Sequence, residues 1–259
     1  MFLDHNNAQA GGGGWAGAGN ITRSAWFDGS ADRLSRTGSA LANADRVIVA
    51  AWVRRSKFSV QMAISGHRTG GGASIIQFLA ADTFQVYLNG TYNKTSAAKF
   101  RDSEWMHVLV SIDSSQATAG DRTKAWINGE EVTLTGTDLP LNQDIYGFGA
   151  SSDQRIGAYY NGASHFYYWN GSITQHVVLD GVSIQNGDYA VSDFLEAVTV
   201  GTNGTVYAPL ADSAMVALAD AVGGESHVLS SDIGDGPDDS ANANAYTPTS
   251  MSDAANGST

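Results

Sequence analysis

Tyr159-Tyr160 and His165-Phe166-Tyr167-Tyr168-Trp169 flank an Asn161-Gly162 turn and gather most of the chemistry a flat ligand could use. An aromatic ring covers the apolar face of a sugar and sheds its water cheaply, so such groups serve as saccharide platforms. Tyr159, Tyr160, Phe166 and Tyr168 are therefore the candidate ligand-contact residues, weighed against the commoner use of such rings in a core or a subunit contact. Strand alternation would send Tyr167 and Trp169 to one face and Phe166 and Tyr168 to the other.

Other reactive groupings are sparse. The six histidines, His5, His67, His107, His165, His176 and His227, show no His-x-x-x-His spacing, and cysteine is absent, so neither a zinc site nor a disulfide is expected. His107 lies in an apolar run and reads as a hydrogen-bonded core histidine. No Gly-x-Ser-x-Gly elbow marks a nucleophilic serine.

The elements that must hold these residues are strands. Charged residues make up 15% of the 259 residues, against about 25% in an ordinary soluble domain, and glycine is abundant while proline is scarce. Val47 to Val53 is a continuous apolar run, consistent with a strand buried on both faces. Ser74–Leu79 and Thr83–Leu88 form a hairpin or meander that ends at Asn89-Gly90, and Trp105–Ile112 reads as another central strand. Thr123–Ile127 and Glu130–Leu134 are joined by Asn128-Gly129, a strong type I′ hairpin signal because both central residues of that turn need positive φ. Arg155–Tyr159, Phe166–Trp169 and Ser172–Leu179 complete the set, and before Asp180 no stretch keeps a helical apolar period. The fold expected is an all-β antiparallel sandwich, with Trp52, Trp105, Trp126 and Trp169 buried between its two sheets.

Three regions follow from texture: a glycine-rich N-terminal arm at 1–22, a sandwich at 23–190, and an acidic linker and irregular C-terminal tail at 191–259. Ser192 could cap a short helix there, and the apolar-poor end should gain order from other subunits. Net charge is −12, distributed unevenly: all 14 Lys and Arg lie at or before Arg155, and the acidic residues after it have no cation among them. An acidic surface repels phosphate, so no nucleic-acid partner is expected. No window approaches the roughly 18 apolar residues of a bilayer span, and the start lacks the pattern of a secretory leader, so membrane insertion and export are not expected.

Several stretches resemble one family. Ser24-Ala25-Trp26-Phe27-Asp28-Gly29-Ser30 is similar to the opening strand of laminin-G-like domains of the concanavalin-A-like superfamily. Trp105-Met106-His107-Val108, Lys124-Ala125-Trp126-Ile127-Asn128-Gly129, and Arg155-Ile156-Gly157 with Trp169-Asn170-Gly171-Ser172-Ile173 resemble its later motifs, in the family's order over roughly 24–182. The resemblance implies a jelly-roll sandwich, with Trp169 in the core and Tyr168 on the better platform face. It also raises calcium, since such domains often bind it through loop carboxylates. Asp82, Asp113, Asp121 and Asp153, in predicted strand-end loops, are the candidates, against the simpler reading as turn residues. Glycanases of this superfamily need two carboxylates ~5–5.5 or ~6.5–9.5 Å apart. Glu104, Glu130, Glu131, Glu196 and Glu225 show no alternate spacing along a strand, so no enzyme is expected.

Val191-Ser192-Asp193-Phe194, Gly201-Thr202-Asn203-Gly204 and Ala211-Asp212-Ser213 resemble the segment that follows such domains in structural proteins of marine tailed phages. That likeness implies a virion component assembled in the host cytoplasm, where the lack of cysteine fits a reducing compartment. The role expected is a tail-fibre or receptor-binding protein that attaches to host-surface glycan, with a capsid decoration or head-fibre protein as the alternative. Other virion proteins and copies of itself, as a trimer, are the expected partners.

Overall fold

The computed structural model describes residues 24–39, 41–149, 151–199, 205–210, 212–222, 227–229 and 247–249. The arm at 1–22 lies outside the described residues. Two large antiparallel sheets stack face to face, as expected from the alternating apolar segments. Sheet I runs in the spatial order β1 (Ala25–Asp28), β15 (Asn170–Asp180), β3 (Arg46–Arg55), β8 (Met106–Asp113), β9 (Thr123–Ile127) and β10 (Glu130–Glu131), with β18 (His227–Leu229) also paired to β15. Sheet II runs β11 (Leu134–Gly136), β7 (Tyr92–Lys99), β6 (Thr83–Leu88), β5 (Gly72–Phe78), β4 (Met62–Thr69), β12 (Asp153–Ile156), β2 (Arg33–Thr37) and β19 (Thr247–Thr249). Two small ribbons, β13 (Tyr159–Tyr160) with β14 (His165–Phe166) and β16 (Glu196–Thr199) with β17 (Thr205–Ala208), two 3₁₀ turns (Ala119–Arg122 and Val191–Asp193) and one α-helix, α1 (Asp212–Val222), complete the described elements.

The turn at Asn128-Gly129 has φ of +51° and +81°, which is the chemistry its residues were read for, and it pairs Ile127 with Glu130. The strand expected over Glu130–Leu134 is divided, however. Its first part stays in sheet I as β10, while Leu134 begins β11 opposite Ser96 in sheet II, so the chain crosses between the sheets at Val132-Thr133.

Strand phase decides what each face buries. Val47, Val49, Ala51 and Val53 of β3 point between the sheets, where they meet Phe78, Phe84, Val86 and Trp169. Ile48, Ala50 and Trp52 point the other way. This corrects the expectation for the tryptophans: only Trp169 lies between the sheets, while Trp52, Trp105 and Trp126 sit on the outer face of sheet I. A continuous apolar run carries no information about which alternate residues face which partner, so residue type alone could not assign them.

What covers that outer face is the segment read as linker and tail. Phe194 and Leu195 are buried against it, following a 3₁₀ turn at Val191–Asp193 in which Ala190, rather than Ser192, is the capping position and donates its N–H to the Asp193 carboxylate at 2.8 Å. Helix α1 places Met215, Leu218, Ala219 and Val222 on one stripe over sheet I, the i, i+3, i+4, i+7 pattern of an amphipathic helix. The stripe spans only two turns and one of its four residues is alanine, so it is a weak signal within the segment expected as linker. The described parts of the C-terminal region thus pack on this chain's own sandwich, and the expectation that they depend on other subunits for order does not hold for them.

Candidate functional site

Sheet II has its own outer face, and the described residues roof only part of it. Along β6 the residues alternate half-buried and buried, with Phe84, Val86 and Leu88 inward and Thr83, Gln85 and Tyr87 outward. Register then aligns the outward residues of neighbouring strands into rows. One row reads Ala63, Gln77, Gln85, Thr95, Thr135 across β4, β5, β6, β7 and β11. The next reads Ser35, Arg155, Gly66, Ile75, Tyr87, Asn93 across β2, β12, β4, β5, β6 and β7.

The first row is wired. Gln61, just before β4, donates from Nε2 to Gln77 Oε1 at 2.9 Å; Gln77 Nε2 donates to Gln85 Oε1 at 2.7 Å; Gln85 Nε2 donates to Thr95 Oγ1 at 3.0 Å. Each amide is oriented by the last, so the row presents a fixed order of donors and acceptors, and such chains polarise one another. Gln77 in the middle is 2% exposed, whereas Gln61, Gln85 and Thr95 are half-buried and reachable.

The second row is walled by the β13–β14 ribbon. A Cβ at Gly66 would fall 2.7 Å from the Ala158 carbonyl oxygen and 2.9 Å from Tyr159 Cα, so the ribbon rests on the sheet where glycine leaves room. Tyr159 stacks on Tyr167 with centroids 5.9 Å apart and planes 14° from parallel. Phe166, opposite Tyr159 in the ribbon, is 41% exposed and lies 6.1 Å from Tyr167. Burial pushes the Tyr159 hydroxyl above the ordinary tyrosine pKa, and the positive charge of the nearby Arg68 guanidinium opposes that rise. The other side of the ribbon holds Tyr160 and His165, 4.7 Å apart, with Tyr168 beyond them at 6.4 Å from His165. Arg155 lies 5.1 Å from the Tyr160 ring centre. Burial, then the charges of Arg33 and Arg155, lower the His165 pKa to about 4, so it is neutral at pH 7.

Three aromatic candidates, Tyr159, Tyr160 and Phe166, therefore lie on one ribbon but on two sides of it, and the fourth, Tyr168, follows it in the chain beside His165. The expectation that Tyr167 and Trp169 share a face is corrected: Tyr167 has φ of +56°, which ends the alternation, so it turns outward onto Tyr159 while Trp169 enters the core. Gln61, Gln77, Gln85, Thr95, Tyr87 and Arg68 were not read as site residues. The alternation in β6 was visible in the sequence, but the cross-strand register that makes a ladder of it was not.

The four aspartates proposed for calcium are not brought together. Asp82 is fully buried and accepts from Arg55 Nη2 at 3.0 Å, Arg101 Nε at 2.7 Å and the Ser59 N–H at 2.7 Å; burial alone would raise its pKa, and these partners outweigh it and hold it at about 2. Asp113 accepts from Ser115, Gln116 and Ser183 and lies 3.5 Å from Arg46 Nε. Asp121 faces Lys124 at 3.1 Å and Asp153 faces Arg155 at 3.4 Å. Each carboxylate already neutralises a cation of the chain, and among the described residues no three His, Asp or Glu side chains form a metal-binding group. As a set they do not fit a calcium cage. A shallow cleft at β9, lined by Gln116, Asp121, Lys124, Trp126, Ile184 and Gln185, is likewise internally satisfied: Lys124 is held by Asp121 and Glu131, and Gln185 donates to the Ser111 and Asp121 carbonyls.

Fold and face together define a β-sandwich module with one built-up, solvent-facing sheet. A family model described as the Concanavalin A-like lectin/glucanases superfamily matches residues 28–186, and the chain belongs to that superfamily, through its laminin-G-type domain. Among solved structures, the heptameric SAP-like pentraxin from Limulus polyphemus is similar at 14% identity and a TM-score of 0.51, covering 71% of this chain and 84% of the pentraxin. Domain 4 of an extracellular GH43 arabinanase from Geobacillus stearothermophilus, solved with arabinotriose, is similar at 18% identity and TM-score 0.47, covering 66% and 75%. The mouse laminin alpha1 LG4-5 pair is similar at 12% identity and TM-score 0.44, covering 61% of this chain and 41% of that one. No curated protein matches the sequence.

Proposed function

We propose that the protein binds carbohydrate on the outer face of sheet II and does not cleave it, and that it does so as a tail-fibre or receptor-binding component of a tailed-phage virion. The observation that carries the binding role is the coincidence on one face of an oriented amide ladder, Gln61-Gln77-Gln85-Thr95, with the stacked Tyr159 and Tyr167. A sugar needs both at once: rings for its apolar face and fixed amides for its hydroxyls. The absence of cleavage is supported by the carboxylates of sheet II, whose strands hold Asp153 alone, already engaged by Arg155, where glycoside hydrolysis requires a pair. Glu130 and Glu131 belong to the other sheet, on β10.

The virion setting rests on the likeness of Val191–Phe194 and the segments near Gly201 and Ala211 to phage structural proteins. It carries a trimeric assembly with it, read out by native mass spectrometry. A glycan array tests the binding role: the wild-type chain should mark a restricted set of glycans, and Tyr159→Ala should lose about tenfold or more in affinity for them, the scale of one lost aromatic stack. An array silent at high concentration, with the protein folded, would leave only a structural role in the particle.

A further inference from the structure

Charge on sheet II runs against charge on the chain. Its strands carry Arg33, Arg36, Arg68, Lys94, Lys99 and Arg155, and one anion, Asp153. The strands of sheet I hold nearly balanced charge, with Arg46, Arg54, Arg55 and Lys124 against Asp28, Asp113, Glu130, Glu131 and Asp180. In a protein of net charge −12, a cationic sheet is a local arrangement that the rest of the sequence does not require.

Not all six cations are open. Lys94 points inward to Asp138, Arg36 is buried, and Arg155 is spent on Asp153, the Gln154 carbonyl and His165. Arg68 is different. It is half-buried, no carboxylate of the described residues forms an ion pair with it, and its guanidinium lies against Gly162 at the ribbon's turn, where a Cβ would meet Nη1 at 2.1 Å. Its charge acts, among the described residues, on the Tyr159 hydroxyl. Among the described residues, Arg33 donates to the Ala31 carbonyl, at 2.8 Å, and forms no ion pair. A guanidinium fixed beside stacked tyrosines and a hydrogen-bonding floor has the fork geometry that suits a carboxylate or sulfate. The acidic helix α1 packs on the outer face of sheet I, with the core between it and sheet II; sheets stacked face to face lie ~10 Å apart, beyond the ~8 Å screening length at physiological salt.

We propose that the ligand of the sheet II face is an acidic saccharide, whose carboxylate or sulfate is held by Arg68 beside the Tyr159–Tyr167 stack. This inference rests on the glycan-binding reading above. A nucleic acid would offer anions as well, but its charge is far denser, and the remaining acidic surface opposes it.

The test measures binding of the intact chain to polygalacturonate, dextran sulfate, neutral dextran of matched length and a single-stranded oligonucleotide, for the wild type, Arg68→Gln, Arg68→Lys and Lys124→Gln. Melting curves establish that each variant is folded. The expected result is binding to one acidic polysaccharide at least about tenfold tighter than to dextran, the worth of one charge-assisted hydrogen bond. Arg68→Gln should remove that preference, Arg68→Lys should retain part of it, and Lys124→Gln on the other sheet should leave it unchanged. Which polyanion responds separates carboxylate from sulfate. Equal losses in Arg68→Gln and Lys124→Gln, or tighter binding of the oligonucleotide, would overturn the proposal. Neutral-glycan binding that Tyr159→Ala abolishes and Arg68→Gln spares would also overturn it while keeping the glycan reading, and no binding to any chain would overturn both.

Discussion

Sheet I and sheet II are built from the same kind of strand and are put to opposite uses. Sheet I is buried on both faces, by the core on one side and by Phe194, Leu195 and helix α1 on the other. Its outward positions accordingly include Ile48, Ala50, Trp52, Leu109 and Trp126, with the polar His107, Ser111 and Lys124 among them. Sheet II keeps its apolar core on one face, and its outward positions mix Ala63, Gly66 and Ile75 with Gln77, Gln85, Thr95, Tyr87, Asn93, Arg68 and Arg155. The difference teaches where function can reside in a sandwich: a face that must be dry to hold the fold together has no freedom to vary its chemistry, and an open face does.

That contrast makes the two faces separable by mutation. The largest effect should come from Trp52→Ala on sheet I, which removes a fully buried ring from beneath Leu195 and should cost about 3–5 kcal/mol in denaturant unfolding. A cost below about 1 kcal/mol would mean the C-terminal cover is not part of the cooperative core.

Acid should act on the same side. His107 is completely buried beside Trp52, 5.1 Å between ring centres, its Nδ1 has no hydrogen-bond partner among the described residues, and burial lowers its pKa to about 3. The unfolded chain, titrating near pH 6.5, binds a proton that the folded chain refuses, so this stability is full above about pH 6.5 and declines as pH falls toward 3. By pH 4 the loss should reach about 3 kcal/mol from this residue. His107→Gln should flatten the melting temperature between pH 6.5 and 4; an unchanged slope would show that another group carries it.

On sheet II the expected stability effects are the smallest. Gln85→Ala breaks two side-chain hydrogen bonds of the ladder at a half-exposed site and should cost about 1 kcal/mol or less, while weakening glycan binding severalfold. A large loss of stability with unchanged binding would turn the ladder from a ligand floor into a structural strut.

Much of this was legible in order along the chain. The Asn128-Gly129 turn, the two-sided burial of Val47–Val53 and the apolar alternation in Thr83–Leu88 each follow from local chemistry: positive φ, hydrophobic run length and a period of two. The aromatic residues around Asn161-Gly162 could be named as site candidates because their side-chain chemistry does not depend on context. Helix α1 could not be read so easily, because the helix is only eleven residues long, its stripe includes an alanine, and it becomes stable only against sheet I.

By itself, then, the order of residues determined the strand segments, the tight turns, the class of fold and the imbalance of charge along the chain, since all of these are set by neighbours in sequence. Only the tertiary structure decided which tryptophans face the core, that Gln61, Gln77, Gln85 and Thr95 form one line, and that Arg68 lies beside Tyr159. Register and the stacking of layers join residues far apart in sequence, and a side-chain period of two is satisfied equally well by either phase until a partner strand selects one.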